Sequence, residues 1–126
     1  MENPVTAIIV DDEQDACDGL EKLIRHYIPE VRVIAKSGKA REALDVIIEQ
    51  KPEIIFLDIR MPDHEGFWLS EKLKYLDISA CIIFVTAYDQ YAIQAIRHAA
   101  FDLLTKPVDP DKLKVSASGA RRLMSV

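Results

Sequence analysis

The chain is short of the residues that build several kinds of site. Its two cysteines, Cys17 and Cys81, stand at no motif spacing, which leaves no disulfide framework to read and marks both as buried, reduced thiols. Its three histidines, His26, His64 and His98, occupy unrelated positions. His64-Glu65 lacks the second histidine of a zincin helix, so all three read as surface histidines and zinc has no ligand set. Glycine is scarce, and neither GxxxxGK[ST] nor GxGxxG occurs, so nothing cradles a nucleotide phosphate. Positive charge is in deficit: 16 Lys and Arg against 21 Asp and Glu give a formal charge of -5, with a pI near 5.2. A phosphate backbone calls for a basic stripe, so no nucleic acid contact is expected of this domain itself, and a protein partner or a cation suits it better. Long apolar runs are missing too. The longest uncharged stretch, Ile78 to Tyr88, is about half a membrane span, and the N-terminus lacks the charged, apolar, small-residue order of a signal peptide. The chain reads as soluble and cytoplasmic, with no membrane contact.

What is present is enough for one domain, read as residues 1–126. A chain of 126 residues with 49% hydrophobic content buries a core without staples. Thr6 to Val10 is an apolar strand that ends in Asp11, Asp12 and Glu13. Cys17, Leu20, Leu23, Ile24 and Tyr27 then fall at helical spacing from Gln14 to Ile28, and Pro29 stops them. Val31 to Ala35 reads as a strand, Ser37 as the cap of a second helix striped by Ala40, Ala43, Leu44, Ile47 and Ile48, and Pro52 as its limit. Ile54-Ile55-Phe56-Leu57 has no polar face and ends in Asp58, a strand buried on both sides. Pro62 forces a loop, and helical spacing resumes near Phe67, with Trp68 read as packing.

Cys81 to Val85 is the fourth strand, closed by Thr86. Tyr88 to Ala99 carries a helical pattern thin in large apolar residues, so that helix should be loosely held. Phe101 to Leu104 is the fifth strand, followed by Thr105-Lys106-Pro107. Asp109 then caps a last helix with Pro110 at its first position, running to about Arg122. Five short-linked alternations of strand and helix give a doubly wound α/β domain, flavodoxin-like, with a five-stranded parallel sheet in the order 2-1-3-4-5.

In such a sheet every strand C-terminus opens on one edge, so Asp11, Asp12, Asp58, Thr86 and Lys106 meet at one mouth. Taken singly, an acid at a strand end starts a turn, and Lys106-Pro107 is a turn before a helix; together on four strands they describe a pocket. Clustered carboxylates repel, and a hard divalent cation with oxygen ligands relieves them, which makes magnesium the natural occupant. A lysine and a hydroxyl beside a metal and a carboxylate suit a dianionic tetrahedral group. Asp58 is then the nucleophile for a phosphoryl group whose donor is not a nucleotide.

Val10-Asp11-Asp12-Glu13, Leu57-Asp58-Ile59-Arg60-Met61-Pro62, Val85-Thr86-Ala87 and Thr105-Lys106-Pro107 resemble, in order and separation, the receiver domain of two-component response regulators. The resemblance implies that Asp58 takes a phosphoryl group from a phosphohistidine on a sensor histidine kinase or phosphotransfer protein, with only self-catalysed transfer and loss as chemistry. It implies Mg2+ held by Asp12 and Asp58 directly, by Asp11 mainly through water, and by the backbone carbonyl of Arg60. Thr86 and Ala87 would sit at the phosphoryl group, Lys106 would pair with its oxygens, and the Lys106-Pro107 bond would be cis. Arg60 and Tyr88 would tune the lifetime of the phosphoryl group.

Thr86-Ala87-Tyr88-Asp89-Gln90-Tyr91-Ala92-Ile93 and Ala100-Phe101-Asp102-Leu103-Leu104 further resemble receivers attached to LytTR-type DNA-binding domains (the LytR/AlgR-like type). Transcription would then be the output, with DNA reached only through a domain beyond Val126. Phosphorylation would switch the face of helix 4, strand 5 and helix 5, where a homodimer could form. One departure stands out: Leu103 occupies a position where the family usually has Tyr or Phe. A haloacid dehalogenase would place a second aspartate at position 60, where this chain has Arg60. A flavin carrier would need a Ser/Thr/Gly-rich phosphate cradle that the loops lack. A receiver acting only as a protein-binding module would not need the full set of acids, threonine and lysine.

Overall fold

The computed structural model describes residues 4–61 and 65–124. Pro62 and His64, singled out above, lie outside them. The strands are β1 (Val5–Val10), β2 (Val31–Ser37), β3 (Ile54–Leu57), β4 (Cys81–Thr86) and β5 (Asp102–Thr105), and they alternate with α1 (Gln14–Tyr27), α2 (Ala40–Gln50), α3 (Glu65–Tyr75), α4 (Ala92–Arg97) and α5 (Pro110–Met124). All pairings are parallel, in the order β2-β1-β3-β4-β5. The expected topology is therefore the observed one.

Alternation along each strand divides the core. Ala7 and Ile9 of β1, Ile54 and Phe56 of β3, and Ile83 and Val85 of β4 face the layer of α1 and α5, with Leu20, Ile24, Leu113 and Ala117. Ile8, Val10, Ile55, Leu57, Ile82 and Phe84 face α2, α3 and α4, with Ala43, Ile47, Leu69, Leu73 and Ala95. A strand covered on both faces has no position for a polar side chain until it leaves the sheet, which is why the acids cluster at strand ends.

Three local expectations change. Ser37 does not cap α2: it is the last residue of β2, paired with Val10, and its hydroxyl bonds to the backbone of Lys39, the residue that precedes the helix. The fourth helix is shorter than Tyr88 to Ala99. A 3₁₀ turn at Asp89–Tyr91 leads into the six residues Ala92–Arg97, and Ala99 closes it with a left-handed φ of 56°. Sparse anchoring is borne out, since Ala95 is buried while Ile93 and Ile96 are 65% and 76% exposed. The fifth strand begins one residue late, at Asp102. Asp109 does cap α5, its carboxylate accepting the amide of Asp111 at 2.9 Å. Trp68 is half-buried against the α2–α3 core, with the Arg41 guanidinium 4.9 Å from its ring centroid, so it packs as expected.

Candidate phosphoacceptor and metal site

The site is built at the C-terminal edge of β1, β3, β4 and β5. Asp11 follows β1 and Asp58 follows β3; the two strands are paired up to Val10 and Leu57, and the Asp58 amide donates to the Val10 carbonyl. Both carboxylates are buried, at 5% and 6% exposure, while Asp12 is exposed. Thr86, fully buried, ends β4 beside Thr105 of β5. The Lys106 amide donates to the Thr86 carbonyl at 2.7 Å, and the Lys106-Pro107 bond is cis. From there the Lys106 ammonium reaches inward, 2.6 Å from Asp11 Oδ2 and 3.4 Å from Asp58 Oδ2.

The loops hold the rest of each carboxylate. Asp11 Oδ1 accepts the amide of Glu13 at 3.0 Å, and Asp58 Oδ1 accepts the amide of Arg60 at 3.2 Å. The Arg60 guanidinium turns outward over the Tyr88 ring, 4.6 Å from its centroid, and the Tyr88 amide donates to Thr86 Oγ1 at 3.3 Å. Ala87 lies exposed between them. Leu103, half-buried, pairs in register with Phe84 and packs on the α4 side of the core.

Burial pushes the Asp58 carboxyl up to about 6; Lys106 opposes this and the Asp11 charge adds to it. Burial alone would lower the Lys106 ammonium, but its hydrogen bond to Asp11 and the Asp58 charge raise it overall. One ammonium thus serves a cluster of three acids, and Asp58 carries the cost. Asp11, Asp12 and Asp58 each offer an oxygen, all within 4.8 Å of one another. Hard oxygen donors with surplus negative charge fit a divalent cation that keeps part of its water, as Mg2+ does. Cys17 Sγ donates to the Asp11 carbonyl at 3.3 Å, and burial first, then Asp11, pushes its thiol up to about 11. It shapes the backbone under the site and stays protonated.

Asp11, Asp12, Asp58 and Lys106 are therefore brought together, with Thr86 at the end of the adjoining strand, while Leu103 packs in the core on the α4 side. Two further residues, Gly66 against the site and His98 away from it, hold positions that the sequence did not show. Gly66, in the first turn of α3, lies against the backbone of Asp58 and Ile59: a Cβ there would collide with the Asp58 carbonyl oxygen and stand 2.7 Å from Ile59 Cα. Gly66→Ala should therefore cost about 3 kcal/mol, seen as a lowered urea midpoint, and a midpoint equal to the parent's would contradict this packing. His98, read as a surface histidine, is half-buried, with its ring stacked on Phe67. The only signal for Gly66 was its place at a helix start, and no local signal marks His98, whose partner lies on another helix.

Residues 7–118 match the response regulator receiver domain family. This chain belongs to that family. As a receiver it is also similar to curated regulators. It is 40% identical over 106 residues to the sensory transduction protein LytT of Enterococcus faecalis, covering 84% of this chain and 43% of that protein. It is 37% identical over 107 residues to LytT of Bacillus subtilis, covering 85% and 44%. An uncharacterized response regulatory protein of Vibrio parahaemolyticus is 42% identical over 123 residues, covering 96% and 49%.

The receiver thus spans less than half the length of these relatives, and it is of the LytR/AlgR-like type. Among solved structures, the response regulatory domain of protein mrkE from Klebsiella pneumoniae superimposes with a TM-score of 0.85 at 25% identity, covering 95% of this chain and 98% of that one. The response regulator domain of Thermotoga maritima CheB shares the fold, with a TM-score of 0.81 at 24% identity and 98% coverage of both chains. No described helix is long and apolar enough to cross a membrane.

Proposed function

We propose that this receiver is a phosphoacceptor: Asp58 takes a phosphoryl group from a phosphohistidine of a sensor histidine kinase or phosphotransfer protein, and the domain passes the change to a transcriptional output. The observation that carries this reading is the buried Asp58 carboxylate, facing the Lys106 ammonium on one oxygen and grouped with Asp11 and Asp12. An Asp58 oxygen attacks phosphorus, the P–N bond to the donor imidazole breaks, and the imidazole leaves with that electron pair. Lys106 pairs with the phosphoryl oxygens, and the Thr86 hydroxyl turns toward them. Asp12 and Asp58, with Asp11 and the Arg60 carbonyl, would hold Mg2+, which supplies charge neutralisation for the transferred group. The Arg60–Tyr88 pair beside the mouth would limit the approach of water and so lengthen the lifetime of the acyl phosphate.

Magnesium should raise the melting temperature. A ligand at about 100 times its Kd adds roughly 2.7 kcal/mol to folding, and Asp12→Ala should lose most of that gain. A parent protein indifferent to millimolar magnesium at fixed ionic strength would count against the metal site.

For the output, β5 is an edge strand, flanked by exposed Ile93 and Ile96 on α4 and by Val115, 75% exposed, on α5. These are the surfaces a homodimer would cover when phosphorylation shifts α4. Sedimentation with magnesium and beryllofluoride, a phosphoryl mimic, should show a mass increase that is absent without the mimic. Constant mass would remove dimerisation through this face and leave a partner that reads the phosphorylated monomer. DNA would be reached only through a further domain, the relatives being more than twice as long as the aligned part.

A further inference from the structure

If Asp58 is the phosphoacceptor, as proposed above, α4 must sense its state in a chain whose fifth strand offers Leu103 instead of a ring. Both ends of α4 are held by one side chain. Phe67, in the first turn of α3, stacks on His98, the residue that closes α4, with centroids 4.5 Å apart and planes at 19°. It also meets Tyr91, the residue that opens α4, edge-on at 6.1 Å. One turn further along α3, the Ser70 hydroxyl reaches the His98 carbonyl at 3.5 Å. The Phe67 ring itself is fixed from below by Phe84 of β4 at 5.3 Å.

Two lines of contact lead from the site to that ring. The first is through the chain itself: Gly66, the neighbour of Phe67, rests on the backbone of Asp58 and Ile59 so closely that no side chain fits between. The second runs over the surface. Thr86 Oγ1 accepts the Tyr88 amide, the Tyr88 ring carries Arg60, and Tyr88 meets Tyr91 edge-on at 6.5 Å. If the Thr86 hydroxyl turns to a phosphoryl oxygen, the Tyr88 amide loses an acceptor and the Tyr88–Tyr91 segment must resettle. Because Tyr91 and His98 share one ring, a six-residue helix too short to be stable alone follows as a unit instead of fraying.

We propose that Phe67 is the positioning residue that couples the Asp58 site to α4, taking the place of an aromatic ring on β5. Phe67→Leu keeps most of the apolar volume and removes both ring faces, while Phe67→Tyr keeps them. The experiment compares amide chemical shifts of parent, Phe67→Leu and Phe67→Tyr, with and without saturating magnesium and beryllofluoride. In Phe67→Leu the changes at Asp12 and Lys106 should match the parent's, while those across Ala95, Ile96 and Arg97 fall below about half; Phe67→Tyr should restore them. A Phe67→Leu protein with parent-sized changes across α4 would overturn the coupling and leave the phosphoacceptor reading standing. A parent with no response at Asp12 and Lys106 would overturn both. Should Phe67→Leu fail to fold, His98→Ala removes one face of the same stack, with a smaller change at Arg97 expected and an undiminished one contradicting the proposal.

Discussion

Asp58→Asn is expected to abolish phosphoryl uptake and, in magnesium-free buffer at pH 7, to make the domain more stable by about 1–2 kcal/mol. The amide keeps the shape and an oxygen for the Arg60 amide but is no nucleophile. The gain in stability follows from linkage. The folded Asp58 carboxyl sits at about 6, above its ordinary 3.8, so the ionised form is penalised in the fold; that shift alone sets a ceiling of about 3 kcal/mol. The Asn amide faces the Lys106 ammonium where Oδ2 was, which takes back part of it. The sign is that of a raised acid: the parent's advantage from a protonated Asp58 is complete below about pH 4 and lost as pH rises through about 6. The difference in melting temperature between Asp58→Asn and parent should therefore open between those pH values and shrink when magnesium is added. Equal melting at pH 7 without metal would contradict the burial of a charged Asp58.

Lys106→Ala has the second large effect, on both stability and switching. The ammonium is the described cation within 4 Å of Asp11 and Asp58. Breaking a buried pair typically costs about 3–5 kcal/mol; here about 2 is expected, because the Lys106 side chain is 24% exposed and Asp58 can take a proton instead. The loss should ease as pH falls, because without the Lys106 charge that lowers it the Asp58 carboxyl takes a proton more readily than in the parent, and also when magnesium is supplied. The variant should still take up a phosphoryl group, since the nucleophile and metal ligands remain, but should not convert it into the α4 change. Thr86→Ala should share that defect in switching with a smaller loss of stability, its hydroxyl being an acceptor for a backbone amide and not one of a charged pair. Amide-shift changes on phosphorylation of equal size in parent and both variants would refute this division of roles.

Much of this was legible in the sequence because the fold converts pattern into position with few free choices. An apolar run such as Ile54–Leu57 has only one place in a doubly wound sheet, and parallel pairing then sends Asp11, Asp58, Thr86 and Lys106 to one edge without any knowledge of distances. Asp109 was legible as a cap because its partner is two residues away. What escaped depends on contacts between elements. Ser37 looked like a cap, yet sheet pairing with Val10 held it in β2. The local pattern of α4 overstated its length, because the chain enters through a 3₁₀ turn at Asp89–Tyr91 and leaves through Ala99 with a left-handed φ. That Lys106 sits closer to Asp11 than to Asp58 reflects how the chain folds over the 95 positions that separate Asp11 from Lys106, and the role of Gly66 reflects how near α3 starts to the Asp58 backbone.

The central claim is that Asp58 carries the phosphoryl group, and intact mass measures it most directly. Parent protein incubated with magnesium and acetyl phosphate should gain the mass of one phosphoryl group. Hydroxylamine should remove that gain and leave a hydroxamate at Asp58, and Asp58→Asn should show no gain under the same conditions. A parent that gains nothing, or a gain that resists hydroxylamine or persists in Asp58→Asn, would contradict it.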